Sequence, residues 1–160
     1  NNHHSFRRPA FAGAPTSKGT SMNDARLTAI AALLLRLALG TMFIAHALLK
    51  YFVFTLPGTA QFFGSLGLPG VLGYVVFAVE LVGGVLLILG VQTRAVALAL
   101  VPVLLGATWV HAGNGWLFSA PNGGWEYPAF WTVTLVVQAL IGDGAYALRP
   151  AGPAPVMQRA

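Results

Sequence analysis

VLGYVVFAVELVGGVLLIL, residues Val71 to Leu89, is a run of nineteen residues with one ionisable side chain, Glu80. At 1.5 Å per residue a helix of this length spans about 28 Å, close to the roughly 30 Å hydrocarbon core of a bilayer. Gly90 follows at once, so the run reads as a membrane span ended by a glycine cap, with Gly90 to Thr93 as a tight turn. Upstream, the run from Leu27 to Tyr51 predicts a first span with Asn23 or Asp24 as its cap. Downstream, Arg94 to Ala112 predicts a third span. It carries Pro102, so the freed Leu98 carbonyl needs a neighbouring helix or a kink. The fourth and shortest starts at Glu126 or Pro128 and ends near Ile141. Between the first two, Pro57 to Leu66 carries Phe62-Phe63 among small residues and reads as a short interfacial helix. The fold class expected is all-α, a four-helix transmembrane bundle.

Composition agrees. The 160 residues are 56% hydrophobic and 8% charged, with a mean hydropathy of +0.71, against about a quarter charged in soluble domains. No Lys, Arg, Asp or Glu lies between Lys50 and Glu80 or between Arg94 and Glu126. A soluble enzyme is excluded. The net charge of +5 does not point to nucleic acid, because the basic residues sit at the ends of apolar segments, where they set topology. The absence of cysteine excludes disulfides, thiolate catalysis and protein-ligated iron-sulfur clusters within this chain. No metal site is read from the sequence.

Residues 1–22 read as a flexible basic tail, 23–149 as the membrane domain and 150–160 as a second tail. Arg7-Arg8 belongs to that tail, since no apolar stretch with a small-residue cleavage site follows closely. With four spans both termini share one side. Arg7, Arg8, Lys18, Arg26, Arg94, Arg149 and Arg159 fall there, against Lys50 on the other side. Positive loops stay cytoplasmic, so both termini are expected in the cytoplasm.

Ionisable groups within spans must face protein, water or a partner. Counted from the inner ends of their apolar runs, Arg36 and Glu80 each lie nine residues in, about 14 Å, which predicts a buried Arg36–Glu80 ion pair. It either fixes helix register or lets Glu80 exchange protons. His46 and Lys50 project from the same side of the first helix as Arg36. His111 and Asn114 fall at the outer end of the third helix, and Tyr127, Trp131, Thr134 and Gln138 share a face of the fourth. The expected site is an outward-facing cup of His46, Lys50, His111, Asn114, Glu126 and Tyr127, floored by Arg36 and Glu80. His46, His111 and Glu126 are its candidate proton donors, while Lys50, Asn114, Tyr127 and Trp131 are candidate ligand contacts. Each histidine has an alternative role as an interfacial ring bonded to a carbonyl, and each aromatic as part of a membrane belt.

The motifs RLALG (Arg36 to Gly40), HALLK (His46 to Lys50), GTAQFFGSLGLP (Gly58 to Pro69), ELVGG (Glu80 to Gly84), GVQTR (Gly90 to Arg94) and EYP (Glu126 to Pro128), in this order, resemble the DoxX family. The resemblance covers Arg26 to Arg149. It departs at Ala47 and Leu49, where the family usually has glycine and often glutamine. It implies a four-span inner-membrane protein, in a family that includes the membrane subunit of thiosulfate:quinone oxidoreductase. The function expected is then a membrane subunit of a redox complex that binds a quinone-like carrier in the cup. Its protons would come from His46, His111 or Glu126 and its electrons from a partner subunit or bound cofactor. The lipid bilayer and other membrane or redox subunits are the expected partners. A noncatalytic assembly subunit is the alternative from another class, and haem b held by His46 and His111 is a third.

Overall fold

The computed structural model describes residues 22–149, so the tails, Arg7-Arg8 included, lie outside the described residues. The described residues form five α-helices and a 3-10 turn: α1 (Met22–Phe52), α2 (Leu56–Ser65), α3 (Val71–Leu89), α4 (Thr93–His111), the turn Ala112–Asn114, and α5 (Glu126–Ile141). Three helices, α1, α3 and α4 with its turn, are long and apolar enough to cross a membrane. The described residues are thus all-helical, with three helices fit to span a membrane.

The expected boundaries of α3 coincide with the observed ones. Gly90 takes the left-handed conformation (φ 69°), and its N–H bonds to the Leu86 and Leu87 carbonyls, which only a residue without a Cβ does cheaply. The first helix starts earlier than expected: Asn23 and Asp24 lie inside α1, where Asp24 favours the positive helix end rather than capping it. Met22, assigned to the tail, is also helical. Thr55 caps α2 by accepting a hydrogen bond from the Gly58 N–H, with Pro57 in the first turn. Pro102 sits inside a continuous α4.

Helices α1, α3, α4 and α5 pack in ring order, tightest in the pairs α1/α3 and α4/α5. The α1/α3 crossing is set by glycine. A Cβ on Gly84 would lie 2.8 Å from the Gly40 carbonyl oxygen, and one on Gly40 would lie 2.7 Å from that of Gly84. These backbones touch, so a side chain at either position must push the helices apart. Gly84→Ala is expected to destabilise the chain by about 1–3 kcal/mol. Gly106→Ala, whose Cβ meets nothing within 4 Å, should stay within about 0.5 kcal/mol or gain stability. Unfolding in mixed detergent micelles compares the two.

Along the bundle axis the interior has three storeys. At one end lie Arg36, Thr93 and Gln138, all at least 99% buried. In the middle Leu39, Phe43, Leu87, Ala97, Leu100 and Leu135 form an apolar layer, each at most 2% exposed. At the other end the helices part around a cavity, and α2 joins its wall through Phe62, Phe63 and Leu66.

Candidate functional site

The cavity holds about 920 Å³ and is bounded by residues of all five helices, at the upper end of the range for small-molecule sites. Its walls are mainly apolar: Leu72 and Val76 from α3, Pro102, Val103 and Ala107 from α4, and the α2 aromatics. Into this lining the fold brings His46 and Lys50 from α1, Glu80 from α3, His111 from the end of α4, and Tyr127 and Trp131 from α5. Most of the expected cup is therefore one site.

The ion pair is not the expected one. Lys50 Nζ donates to both Glu80 oxygens, at 2.9 and 2.7 Å, and the Glu80 side chain is 6% exposed. Arg36 instead forks onto backbone, donating from Nη1 to the Asp143 carbonyl at 2.6 Å and from Nη2 to the Ala145 carbonyl at 3.2 Å. The reason is register. The Gly40–Gly84 contact sets the crossing, Arg36 lies one turn to one side of it and Glu80 one turn to the other, so the two are separated by about 12 Å of depth. Lys50, with a long stem leaning toward its helix's N-terminus, covers the remaining distance to Glu80.

Each cavity histidine turns Nδ1 toward backbone carbonyls. His46 Nδ1 lies 2.9 Å from the Met42 carbonyl, and His111 Nδ1 lies 3.0 and 3.1 Å from the carbonyls of Asn122 and Gly123. With a hydrogen on Nδ1 the ring can donate to these carbonyls and present Nε2 as an acceptor. His46 also packs on Trp131 (centroids 4.8 Å) and Tyr127 (6.2 Å), and Trp131 on Phe43 (4.6 Å), so the rings form one aromatic bank. The buried Trp131 Nε1–H has no hydrogen-bond acceptor among the described residues.

Asn114 and Glu126 are not part of the cavity wall. The Asn114 amide donates to the carbonyls of Asn122 and Gly123, at 3.1 and 2.9 Å, the same two that hold His111. Glu126 Oε1 accepts from the Phe118 N–H at 2.8 Å, and the Glu126 N–H donates to the Trp116 carbonyl. Both residues therefore fold the α4–α5 connection that places His111. Glu126, expected in the cup, braces the loop through Phe118 and is not among the residues that line the cavity. Glu80, expected with Arg36 as the floor of the cup, lines the cavity without Arg36, and the interfacial helix expected around Phe62-Phe63 is α2, which supplies both rings to the cavity wall.

Among the described residues no group of three or more His, Asp or Glu is placed to hold a metal ion. A family model described as DoxX matches residues 31–113. A Bacillus subtilis (strain 168) protein named "Putative oxidoreductase CatD" is 38% identical over 122 residues, covering 76% of this chain and 86% of that protein. No solved structure matches the chain.

Proposed function

Because this chain belongs to the DoxX family, we propose that it is a four-span inner-membrane subunit of a redox assembly and binds a quinone-like amphiphile in the cavity. The observation that carries this reading is the composition of that cavity. An apolar space of about 920 Å³ converges on two histidines, a Lys50–Glu80 pair and an aromatic bank, as a flat, lipid-soluble ring with polar oxygens requires. The relative's printed name supports redox chemistry.

The fourth span is α5. Its sixteen residues cover about 24 Å, and its Phe130, Val133 and Leu140 are 70%, 58% and 72% exposed, as lipid-facing side chains would be. α2 then lies in the outer interface over the cavity mouth, with Phe62 half-exposed. The α3–α4 turn carries Arg94 and pairs with Arg149 through the Val91 and Gln92 backbone, and this positive charge supports a cytoplasmic orientation for this face.

In this role the chain binds, orients and handles protons. Quinone takes two electrons and two protons to become quinol, and the electrons come from a redox partner. Tyr127 and Trp131 pack the ring, and a ligand oxygen beside Trp131 would give its indole N–H an acceptor. His46 and His111 take protons from a quinol, or return them to a quinone once protonated. Lys50 holds Glu80 as a paired, neutral unit that leaves the cavity without net charge.

Native mass spectrometry of the chain extracted gently from its own membranes tests this reading. The expected result is a quinone mass on the chain, alone or beside a redox subunit. A haem mass would instead favour His46 and His111 as axial ligands. Stable assembly with other subunits and no retained small molecule would favour the assembly-subunit reading.

A further inference from the structure

We infer that the cavity is a one-sided vestibule: water and dissolved ions reach it only from the face formed by α2 and the α4–α5 connection, and the Arg36 face is closed to it. On every packed helix the residues run in the same order. From Arg36 to His46 on α1, from Gly90 to Glu80 on α3, from Thr93 to Pro102 on α4 and from Gln138 to Trp131 on α5, the chain passes from the polar end, through the apolar layer, to the cavity wall. These seven to ten residues correspond to about 10–15 Å of helix. The layer between is filled by Leu39, Phe43, Leu87, Leu100 and Leu135, all at most 2% exposed, and close-packed apolar side chains leave no room for water.

Two seams close on small residues at the level of this layer. Gly40 and Gly84 bring α1 and α3 into backbone contact, and a Cβ on Gly83 would lie 2.9 Å from the Leu100 side chain across α3 and α4. Below the layer, the segment after α5 is stitched across the bundle end. Ala145 N–H bonds to the Ala29 carbonyl on α1, Leu148 N–H to the Leu89 carbonyl on α3, and Arg36 holds the Asp143 and Ala145 carbonyls from beneath. The charged groups divide accordingly, with Lys50, Glu80, His46 and His111 above the layer and Arg36 and Asp143 below it. A ligand in the cavity therefore exchanges protons with the mouth face, which adds a side to the proposed quinone site. Among the described residues no polar path through the bundle connects Glu80 with Arg36, which argues against passage of a solute from face to face.

The chain has no cysteine, so single cysteines report access without background. Gly106→Cys places a thiol in the cavity wall, at a position whose Cβ meets nothing within 4 Å. Gly113→Cys marks the mouth face, and Leu148→Cys, at a side chain 71% exposed, marks the opposite face. A small cationic methanethiosulfonate is applied to right-side-out and to inverted vesicles. The expected result is that Gly106→Cys reacts in the orientation in which Gly113→Cys reacts, and at least tenfold more slowly in the orientation that exposes Leu148→Cys. Reaction from the Leu148 side, or from neither side, would overturn the inference. Leu66→Cys, also on the cavity wall, supplies a second reading should Gly106→Cys fail to fold. A cavity that binds no quinone would still label from one side, so the two ideas fail separately.

Discussion

Lys50→Met should cost about 3–5 kcal/mol of stability, the range found when one member of a buried ion pair is removed and its partner is left charged. Glu80 is 6% exposed on its side chain, and both its oxygens are bonded to Lys50 Nζ. Without the ammonium, two carboxylate oxygens face an apolar cavity. Methionine keeps most of the lysine stem's packing, so the loss reports the charge. Adding Glu80→Gln removes the uncompensated charge, and most of the loss should return in the double variant. Reversible unfolding in mixed micelles measures the cycle, and additive single effects would show that the pair is not coupled. The same cycle separates this pair from the Arg36–Glu80 pair expected from sequence, because Arg36→Met combined with Glu80→Gln should be additive.

Arg36→Met is the second large effect, about 3 kcal/mol. Arg36 is 1% exposed, and its guanidinium is the shared donor for the Asp143 and Ala145 carbonyls. Hydrogen bonds to a charged group contribute about 1.5–3 kcal/mol, and the orphaned carbonyls would remain at a packed bundle end. Arg36→Lys should recover only part, since a single ammonium lacks the fork geometry that reaches both oxygens. Stability in micelles checks the magnitude, and backbone amide exchange checks the location. Faster exchange should be confined to the segment from Gly142 to Arg149 and its contacts at Leu89 and Gly90, while the cavity helices near His46 and Trp131 keep wild-type protection. Loosening that begins at the cavity would contradict the three-storey arrangement.

What the sequence reveals here follows from which constraints are local. The end of α3 was legible because Gly90 both ends the apolar run and supplies the left-handed cap. The shared faces of α1 and α5 were legible because helical period alone brings His46 near Lys50 and Tyr127 near Trp131. Depth was not local. The ends of apolar runs were taken as a common level, but α1 begins at Met22, beyond Leu27, and the level of α1 against α3 is set by the Gly40–Gly84 contact. That shift exchanged Arg36 for Lys50 as the partner of Glu80. Asn114 and Glu126 were read at the correct end of the bundle. Their roles depended on where the α4–α5 connection folds back, with Asn122, Gly123 and Phe118 supplying partners that no spacing rule exposes. The Arg36 fork onto the chain after α5 joins positions more than a hundred residues apart, and nothing in the spacing of either segment announces it.

The central claim is that the cavity between the helices is where a quinone-like ligand sits. Its most direct test is photoaffinity labelling of the chain in its own membranes with an azido-quinone, followed by mapping of the adducts. Adducts are expected on 102–111 of α4 and on Tyr127, Pro128 or Trp131 of α5, which line the cavity, and should be lost when an excess of unmodified quinone competes. Adducts confined to the lipid-facing side chains Phe130, Val133 and Leu140, or labelling that no excess quinone displaces, would contradict it.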